Sequence, residues 1–319
     1  MSFDLLTPEA AALGILVALP LGALVAASLR AGRARSVLGL PAAGPRSVGA
    51  PVALLACAGL LTLAAAQPIL TQRQSIPART DAEAVVVVDS SRSMLAAADP
   101  GGETRFDRAR AATSRVAEAL PDVPLGLASM TDRVLPHVFP TARRQVFHSA
   151  LDRVLAVEQP PPGARDVQIT SLEALAEVAR GDLFSPGSER RLMFVLTDGE
   201  SRPFSHTGLQ RALANAEIET VLVHVWQPGE NVFGPDGDSE LAYVPDAASA
   251  QVIAGLGDVL GGGFAEDDLD AAIQSSQDYL GSGPVENVGR EVGAVHLAPW
   301  AIVAALLPLA FLLWRRNRA

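Results

Sequence analysis

The sequence predicts an α/β fold, a doubly wound and mostly parallel sheet with helices on both faces, joined to three transmembrane helices. Three observations predict it. The runs AVVVV (84–88), RLMFVLT (191–197) and TVLVHVW (220–226) are uninterrupted apolar stretches, as strands covered on both faces should be. Segments with helical spacing separate them, and alternation of strand and helix implies a parallel sheet. Three long uncharged apolar blocks lie outside this region, at 11–28, about 50–70 and 297–314.

Those blocks explain the composition. The 319-residue chain is 49% apolar with a mean hydropathy of +0.25, too oily for an ordinary soluble enzyme. Each block is near the length needed to cross a hydrocarbon core as a helix, the form that satisfies its own backbone polar groups there. Pro20 and Pro308 fall inside blocks, which membrane helices tolerate. The alternative, three buried helices of a soluble core, fits poorly with so many uncharged residues recurring three times. The first block follows MSFDLLTPEA, which holds Asp4 and Glu9 and no basic residue, so it reads as a retained helix rather than a signal peptide.

Arginine sets the expected orientation, because the chain has no lysine. Arg30, Arg33, Arg35 and Arg46 follow the first block, and the tail after the third is RRNRA. Positive segments stay in the cytoplasm. The expected order is an outside N-terminus (1–10), a first span (11–28), a cytoplasmic basic loop (29–49) and a second span (50–70). A polar linker (71–80), an extracytoplasmic domain (81–282), a second linker (283–296), a third span (297–314) and a cytoplasmic tail (315–319) complete it. The expected location is therefore the plasma membrane, with several passes. Residues 81–296 hold 33 of the 35 acidic residues against 16 of the 25 arginines, which argues against nucleic acid as partner. The single cysteine, Cys57, lies in the second block, so no disulfide forms within the chain. A domain of about 200 residues can rest on its core alone.

Within the outside domain, RFDRARAATSRVAEAL (105–120) has helical spacing, with Phe106, Ala109, Val116 and Leu120 on one side. PLGLASM (124–130) and RVLPHVF (133–139) read as a strand pair around a Thr131-Asp132 turn. Helices are expected near 143–156, at 171–180, 207–216, 246–256 and 267–279, with a short strand near 262–265. GENVFGPDGDSE (229–240) reads as a surface loop.

Ligands bind such sheets at the carboxyl ends of the strands. Two stretches arrive there with oxygen donors. Asp89-Ser90-Ser91-Arg92-Ser93 leaves the first strand, and Thr197-Asp198-Gly199-Glu200-Ser201 leaves the 191–197 strand. Ile169-Thr170-Ser171-Leu172 opens a helix between them in sequence. Together these residues resemble the von Willebrand factor A domain with its metal-ion-dependent adhesion site, MIDAS. That site has the form D-x-S-x-S, then a Thr on a separate loop, then an Asp after a later apolar strand. Asp89, Ser91 and Ser93 match the first element, and Asp198 matches the last in the family's frequent T-D-G context. RFDRAR (105–110) looks like the family's first helix, and the resemblance covers about 81–280.

The resemblance implies a Rossmann-like fold and five metal-site residues: Asp89, Ser91, Ser93, Thr170 and Asp198. Thr170 fits less cleanly, because Gln168 and Ile169 stand where the family has small residues; Ser171 is the fallback. TSLE (170–173) also reads as a capping box, with Thr170 as N-cap. Carboxylate and hydroxyl oxygens suit a hard divalent cation, Mg²⁺ with Mn²⁺ and Ca²⁺ as the others, and not zinc. By analogy with the family, an acidic side chain of a partner protein completes the ion's shell. Ser91 and Ser93 are the expected direct ligands, while Asp89 and Asp198 act largely through water or hydrogen bonds. Ser90 and Arg92 should point elsewhere. Simpler readings exist for each stretch: Asp89 and its serines could cap the next segment, Thr197-Asp198-Gly199 could be a plain turn, and Glu200 reads as a solvated acid. The 227–245 loop is expected to flank the site; Asp236, Asp238 and Glu240 lack the EF-hand pattern.

Two early spans, an A domain and a late span are similar to the Bat-type, aerotolerance-associated membrane proteins of bacteria. That resemblance implies a non-enzymatic binding protein and a link to MoxR-type AAA ATPases. Such an ATPase is cytoplasmic, so contact would run through Arg30–Arg46 or the tail. Two other functions compete. A haloacid-dehalogenase-like phosphatase would use Asp89, but Ser91 stands where its acid must be. A scaffold with a vestigial metal site is the other. No G-x-S-x-G surrounds the serines, and the five histidines are scattered; His224, within an apolar strand, reads as a satisfied core histidine.

Overall fold

The structure, a computed structural model, describes residues 2–38, 46–159, 161, 170–241 and 243–317. The chain divides into two compact units, Met1–Gln74 with Arg290–Ala319, and Ser75–Gly289.

In the first unit, β1 (Ser2–Leu5) leads to α1 (Pro8–Val37) and α2 (Arg46–Ala65). Strand β2 (Pro68–Arg79) follows. The second unit runs β3 (Ala82–Asp89), α3 (Arg105–Ala119), β4 (Leu125–Met130), β5 (Val134–Thr141) and α4 (Arg144–Arg153). It continues through α5 (Ala176–Arg180), β6 (Arg190–Thr197), α6 (His206–Asn215) and β7 (Ile218–His224). Then come α7 (Ser249–Leu260), β8 (Gly263–Ala265) and α8 (Leu269–Leu280). Strand β9 (Val285–His296) and helix α9 (Ala298–Arg316) close the chain.

The second unit has the expected α/β architecture. Its six strands lie in the order β5-β4-β3-β6-β7-β8, all parallel except the edge strand β5. Alternate residues of each central strand face opposite layers. Val86, Val88, Phe194 and Leu196 pack with α3, α4 and α8, including Phe106, Ala109, Val116, Phe147 and Leu269. Val85, Val87, Met193 and Val195 pack with α5, α6 and α7, including Val178, Leu209 and Leu256. Burial on both faces is why these strands carry no polar alternation. Strand β3 leads left to β4, while its right-hand neighbour is β6, so the order reverses between β3 and β6. A crevice opens at such a switch point, outside the carboxyl ends of the strands.

The membrane expectation needs correcting. Among the described residues one helix, α9, is long and apolar enough to span a bilayer. The second block lies in α2, which ends at Ala65, short of the expected Leu70, because Gln67 takes a left-handed φ of 48° and β2 begins at Pro68. The first block lies within the 30-residue α1, but the side chains at 11–13, 15–18 and 28 are outside the described residues. The basic loop is also shorter than expected. Arg30, Arg33 and Arg35 continue α1, since arginine and alanine are good helix formers, and Arg46 opens α2; 39–45 lie outside the described residues. At Gly14 a side chain would collide with Thr62, so glycine permits close contact of α1 and α2.

Both expected linkers are strands. Residues 71–80 fall mostly in β2 and 283–296 mostly in β9, which neighbour each other in a three-stranded sheet ordered β1-β2-β9. Arg79, at the end of β2, is buried and donates to the carbonyls of Leu280 (2.9 Å) and Gly281 (2.8 Å) while pairing with Asp81 at 2.6 Å. The two ends of the second unit are thereby held together.

Phe194 is fully buried at the centre of the sheet. Phe194→Ala should cost about 3–5 kcal/mol, read as a lower urea midpoint at unchanged slope. A loss under about 1 kcal/mol would show that this core is not packed as described.

Candidate metal centre at the sheet switch point

Strands β3 and β6 run parallel with Val88 beside Leu196, so the residues that leave them, Asp89 and Thr197-Asp198, emerge side by side. Asp89 is fully buried. Its Oδ2 accepts from Thr197 Oγ1 at 2.6 Å, and its Oδ1 accepts from the Ser91 amide at 2.9 Å and from Thr170 Oγ1 at 3.4 Å. No arginine or histidine pairs with it among the described residues. Burial pushes its carboxyl above the ordinary carboxylate range.

The two serines turn inward together. After Asp89 the chain enters a short 3-10 turn, Arg92–Leu95, with no side-chain cap, so the capping alternative does not describe these serines. Ser91 Oγ and Ser93 Oγ lie 2.9 Å apart and both residues are buried. As expected, the intervening residues face away. Ser90 Oγ donates to the carbonyls of Met130 (3.1 Å) and Gln159 (2.7 Å), and Arg92 pairs with Glu240 at 2.8 Å.

Thr170 reaches the site from a third segment. Its backbone bridges Ser201, and its carbonyl accepts from the Arg202 amide at 3.0 Å. The following turn, Leu172–Leu175, has Ser171 as N-cap and no side-chain cap bond. The capping box is therefore absent: the Thr170 hydroxyl faces Asp89 instead. Ser171 is only half-buried, with its amide on the Thr131 carbonyl. Gln168 and Ile169 lie outside the described residues.

Asp198 is also fully buried, but it has a cation. Its Oδ2 accepts from Arg105 Nη1 at 3.0 Å, and its Oδ1 accepts from the Glu200 amide at 3.1 Å. Burial, reinforced by the neighbouring Asp89 charge and opposed by Arg105, pushes its carboxyl up to about 6. Gly199 turns the chain here with a φ of 72°, and a Cβ there would stand 2.7 Å from Ile253 Cγ1. Glycine meets both demands. His224 donates or accepts at the Asp198 carbonyl (2.9 Å) and the Ser249 hydroxyl (3.1 Å), a satisfied core histidine as expected.

Three residues of this region escaped the sequence reading. Glu200, expected to be solvated, is mostly buried against Arg105 Nη1 at 2.9 Å. Glu230, within the expected surface loop, is buried and accepts from Arg105 Nε at 2.7 Å. Arg105 itself is fully buried, over the Trp226 ring at 5.7 Å. Burial alone would lower its pKa, but the Asp198 charge and the Glu230 hydrogen bond hold it above the ordinary value. The local pattern gave no sign of this, since the partners lie 93 to 125 residues away.

The donor set is oxygen only, with two buried hydroxyls that bond each other and two buried carboxylates, one of them without a cation among the described residues. These residues fit a hard divalent cation and are poor in the nitrogen and sulfur that zinc prefers. Among the described residues no cluster of three or more His, Cys, Asp and Glu side chains could hold a metal, so any such ion depends on the hydroxyls.

The von Willebrand factor type A domain family model matches residues 84–200, a stretch that contains Asp89, Ser91, Ser93, Thr170 and Asp198. No curated protein matches the chain. Among solved structures, BatB from Bacteroides thetaiotaomicron is 18% identical, with a TM-score of 0.48 over 63% of this chain and 100% of that one. An aerotolerance-related membrane protein from Bacteroides fragilis is 18% identical, with a TM-score of 0.47 over 62% of this chain and 98% of that one. Proximal thread matrix protein 1 from the mussel byssus, with a zinc-occupied MIDAS motif, is 13% identical, with a TM-score of 0.42 over 71% of this chain and 52% of that one. The assignment rests on the domain match: this chain carries a von Willebrand factor type A domain.

Proposed function

We propose that this is a membrane-anchored, non-enzymatic protein that grips a protein partner through a divalent cation at the β3–β6 switch point. The observation that carries this reading is Asp89: a fully buried carboxylate with hydroxyl and amide donors but no cationic partner among the described residues, beside two inward-facing serines. An unpaired buried charge is strongly destabilising, and a bound cation removes that penalty. Ser91 and Ser93 would hold the ion directly, with Asp89, Thr170 and Asp198 around it. When bound, the ion supplies residual positive charge that attracts a carboxylate of the partner. The preferred ion is Mg²⁺, with Mn²⁺ and Ca²⁺ as alternatives. Position 91 holds a hydroxyl rather than a carboxyl, which disfavours the phosphatase reading.

The exposed apolar residues Leu241 (99%) and Val244 (78%) in the loop tied to Arg92 through Glu240 support a protein partner with apolar groups near its acid. The sidedness we favour places the A domain extracytoplasmic and the arginines near Arg30–Arg46 and Arg315–Arg316 cytoplasmic. A MoxR-type ATPase, if it is a partner, would then meet the cytoplasmic basic segments.

The test of function is capture of partners from a membrane extract with Mg²⁺ and with EDTA. Capture should require the ion, and Ser91→Ala with Ser93→Ala should abolish both capture and the Mg²⁺-dependent rise in melting temperature. Ion-independent capture by the double variant would leave only the vestigial-site scaffold. Asp89→Asn separates charge from packing. In EDTA it should raise stability, by about 1–3 kcal/mol, because it removes an unpaired buried charge, while eliminating the response to Mg²⁺. Orientation has its own check in a Cys57→Ser background. A thiol reagent that cannot cross membranes should label Asp236→Cys on intact cells and not Ser36→Cys; the reverse pattern contradicts the assigned sidedness.

A further inference from the structure

Arg105 bonds both the segment leaving β6 and the loop at 227–245. Its Nη1 bonds Asp198 Oδ2 (3.0 Å), Glu200 Oε1 (2.9 Å) and Tyr243 Oη (3.1 Å), and its Nε bonds Glu230 Oε2 (2.7 Å). Tyr243 Oη also donates to Glu200 Oε1 at 2.8 Å. Glu230 and Tyr243 belong to the loop; Asp198 and Glu200 belong to the segment leaving β6. One buried guanidinium thus joins the two. A second arginine, Arg108, reaches Glu230 Oε1 at 2.6 Å. Elsewhere the loop is held by the reciprocal Ala97–Asn231 backbone pair, by Arg92 on Glu240 and by its own backbone bonds, such as the Glu240 amide on the Val232 carbonyl.

The charges explain why this joint should respond to an ion. Arg105 is the cation paired with Asp198, and it also serves Glu200 and Glu230. A cation held there would fix Asp198, and Arg105, bonded to that carboxylate, would be fixed with it. Through Arg105 the same restraint would reach Glu200, Glu230 and Tyr243. A planar fork suits this sharing, because its donors are fixed relative to one another.

We infer that Arg105 is a positioning residue that couples cation binding at Asp89–Ser91–Ser93–Asp198 to ordering of the 227–245 loop, so that the partner-facing loop is set only when the ion is present. This rests on the metal reading above. Coupling of this kind is reciprocal, so whatever orders the loop also tightens the ion.

The test uses the full chain in detergent. Mg²⁺ affinity is measured by titration calorimetry, and hydrogen exchange of the 227–245 amides is followed with Mg²⁺ and with EDTA. In the wild type, Mg²⁺ should slow loop exchange. Arg105→Gln should weaken Mg²⁺ at least about tenfold, the usual scale for losing an outer partner of a metal ligand, and make loop exchange the same in both conditions. Arg105→Lys should recover part of both. Val116→Ala, a core change in the same helix, should lower the melting temperature but leave the loop response intact, which separates positioning from mere stability. Should Arg105→Gln not fold, Tyr243→Phe decides: it should remove most of the loop response while changing Mg²⁺ affinity less than about threefold, since Tyr243 touches no proposed ligand. Full loop response in Arg105→Gln or in Tyr243→Phe overturns the coupling alone. No Mg²⁺ binding by the wild type overturns the metal reading, and the coupling with it.

Discussion

Asp89 and Asp198 are fully buried at the carboxyl ends of adjacent parallel strands, and a single arginine, Arg105, serves only one of them. Burial raises the cost of ionising each carboxyl, and the Asp89 charge adds to that cost at Asp198, so both shift upward. The rest of the second unit is arranged around that constraint. The strands that deliver the pair are covered on both faces. Thr197, Thr170 and the Ser91 amide satisfy the oxygens of Asp89 without neutralising them. A site with hydrogen bonds but an uncompensated charge is stable when a cation occupies it and costly when none does.

The same electrostatics reach the surface through Arg105. Its partners come from two chain segments distant in sequence, Asp198 and Glu200 after β6 and Glu230 and Tyr243 in the loop, and meet it at the first turn of α3. Buried arginine with several carboxylates is seldom a source of net stability, because desolvation offsets the attraction. Its usefulness lies in geometry, since each bond fixes the direction of the next. Gly199 plays the backbone counterpart, turning β6 sharply enough that Asp198 and Glu200 lie on the same guanidinium nitrogen.

What the sequence disclosed follows from what each feature depends on. The central strands were legible because double burial removes polar alternation. Asp89, Ser91, Ser93 and Asp198 were legible because they stand at the ends of such strands. Thr170 was ambiguous in sequence, since TSLE serves equally well as a cap; only the fold turns its hydroxyl toward Asp89. Arg105, Glu200 and Glu230 were not legible as a buried cluster, because charged residues default to solvent and their pairing spans up to 125 positions. β2 and β9 were mistaken for linkers because their sequences, such as TQRQSIPAR, lack an apolar face and become strands through pairing in the β1-β2-β9 sheet. The membrane helices mark the opposite error: composition located the apolar blocks, but the chain cuts the second short at Gln67 and extends the first through its arginines.

The central claim is that a single divalent cation belongs between Asp89, Ser91, Ser93 and Asp198. Mn²⁺ electron paramagnetic resonance on the metal-stripped full chain tests it most directly, because the sharp signal of the free aqua ion disappears on binding. The account predicts loss of signal up to one ion per chain, and no such loss with Asp89→Asn. Undiminished free-ion signal in the wild type, or equal binding by Asp89→Asn, would contradict it.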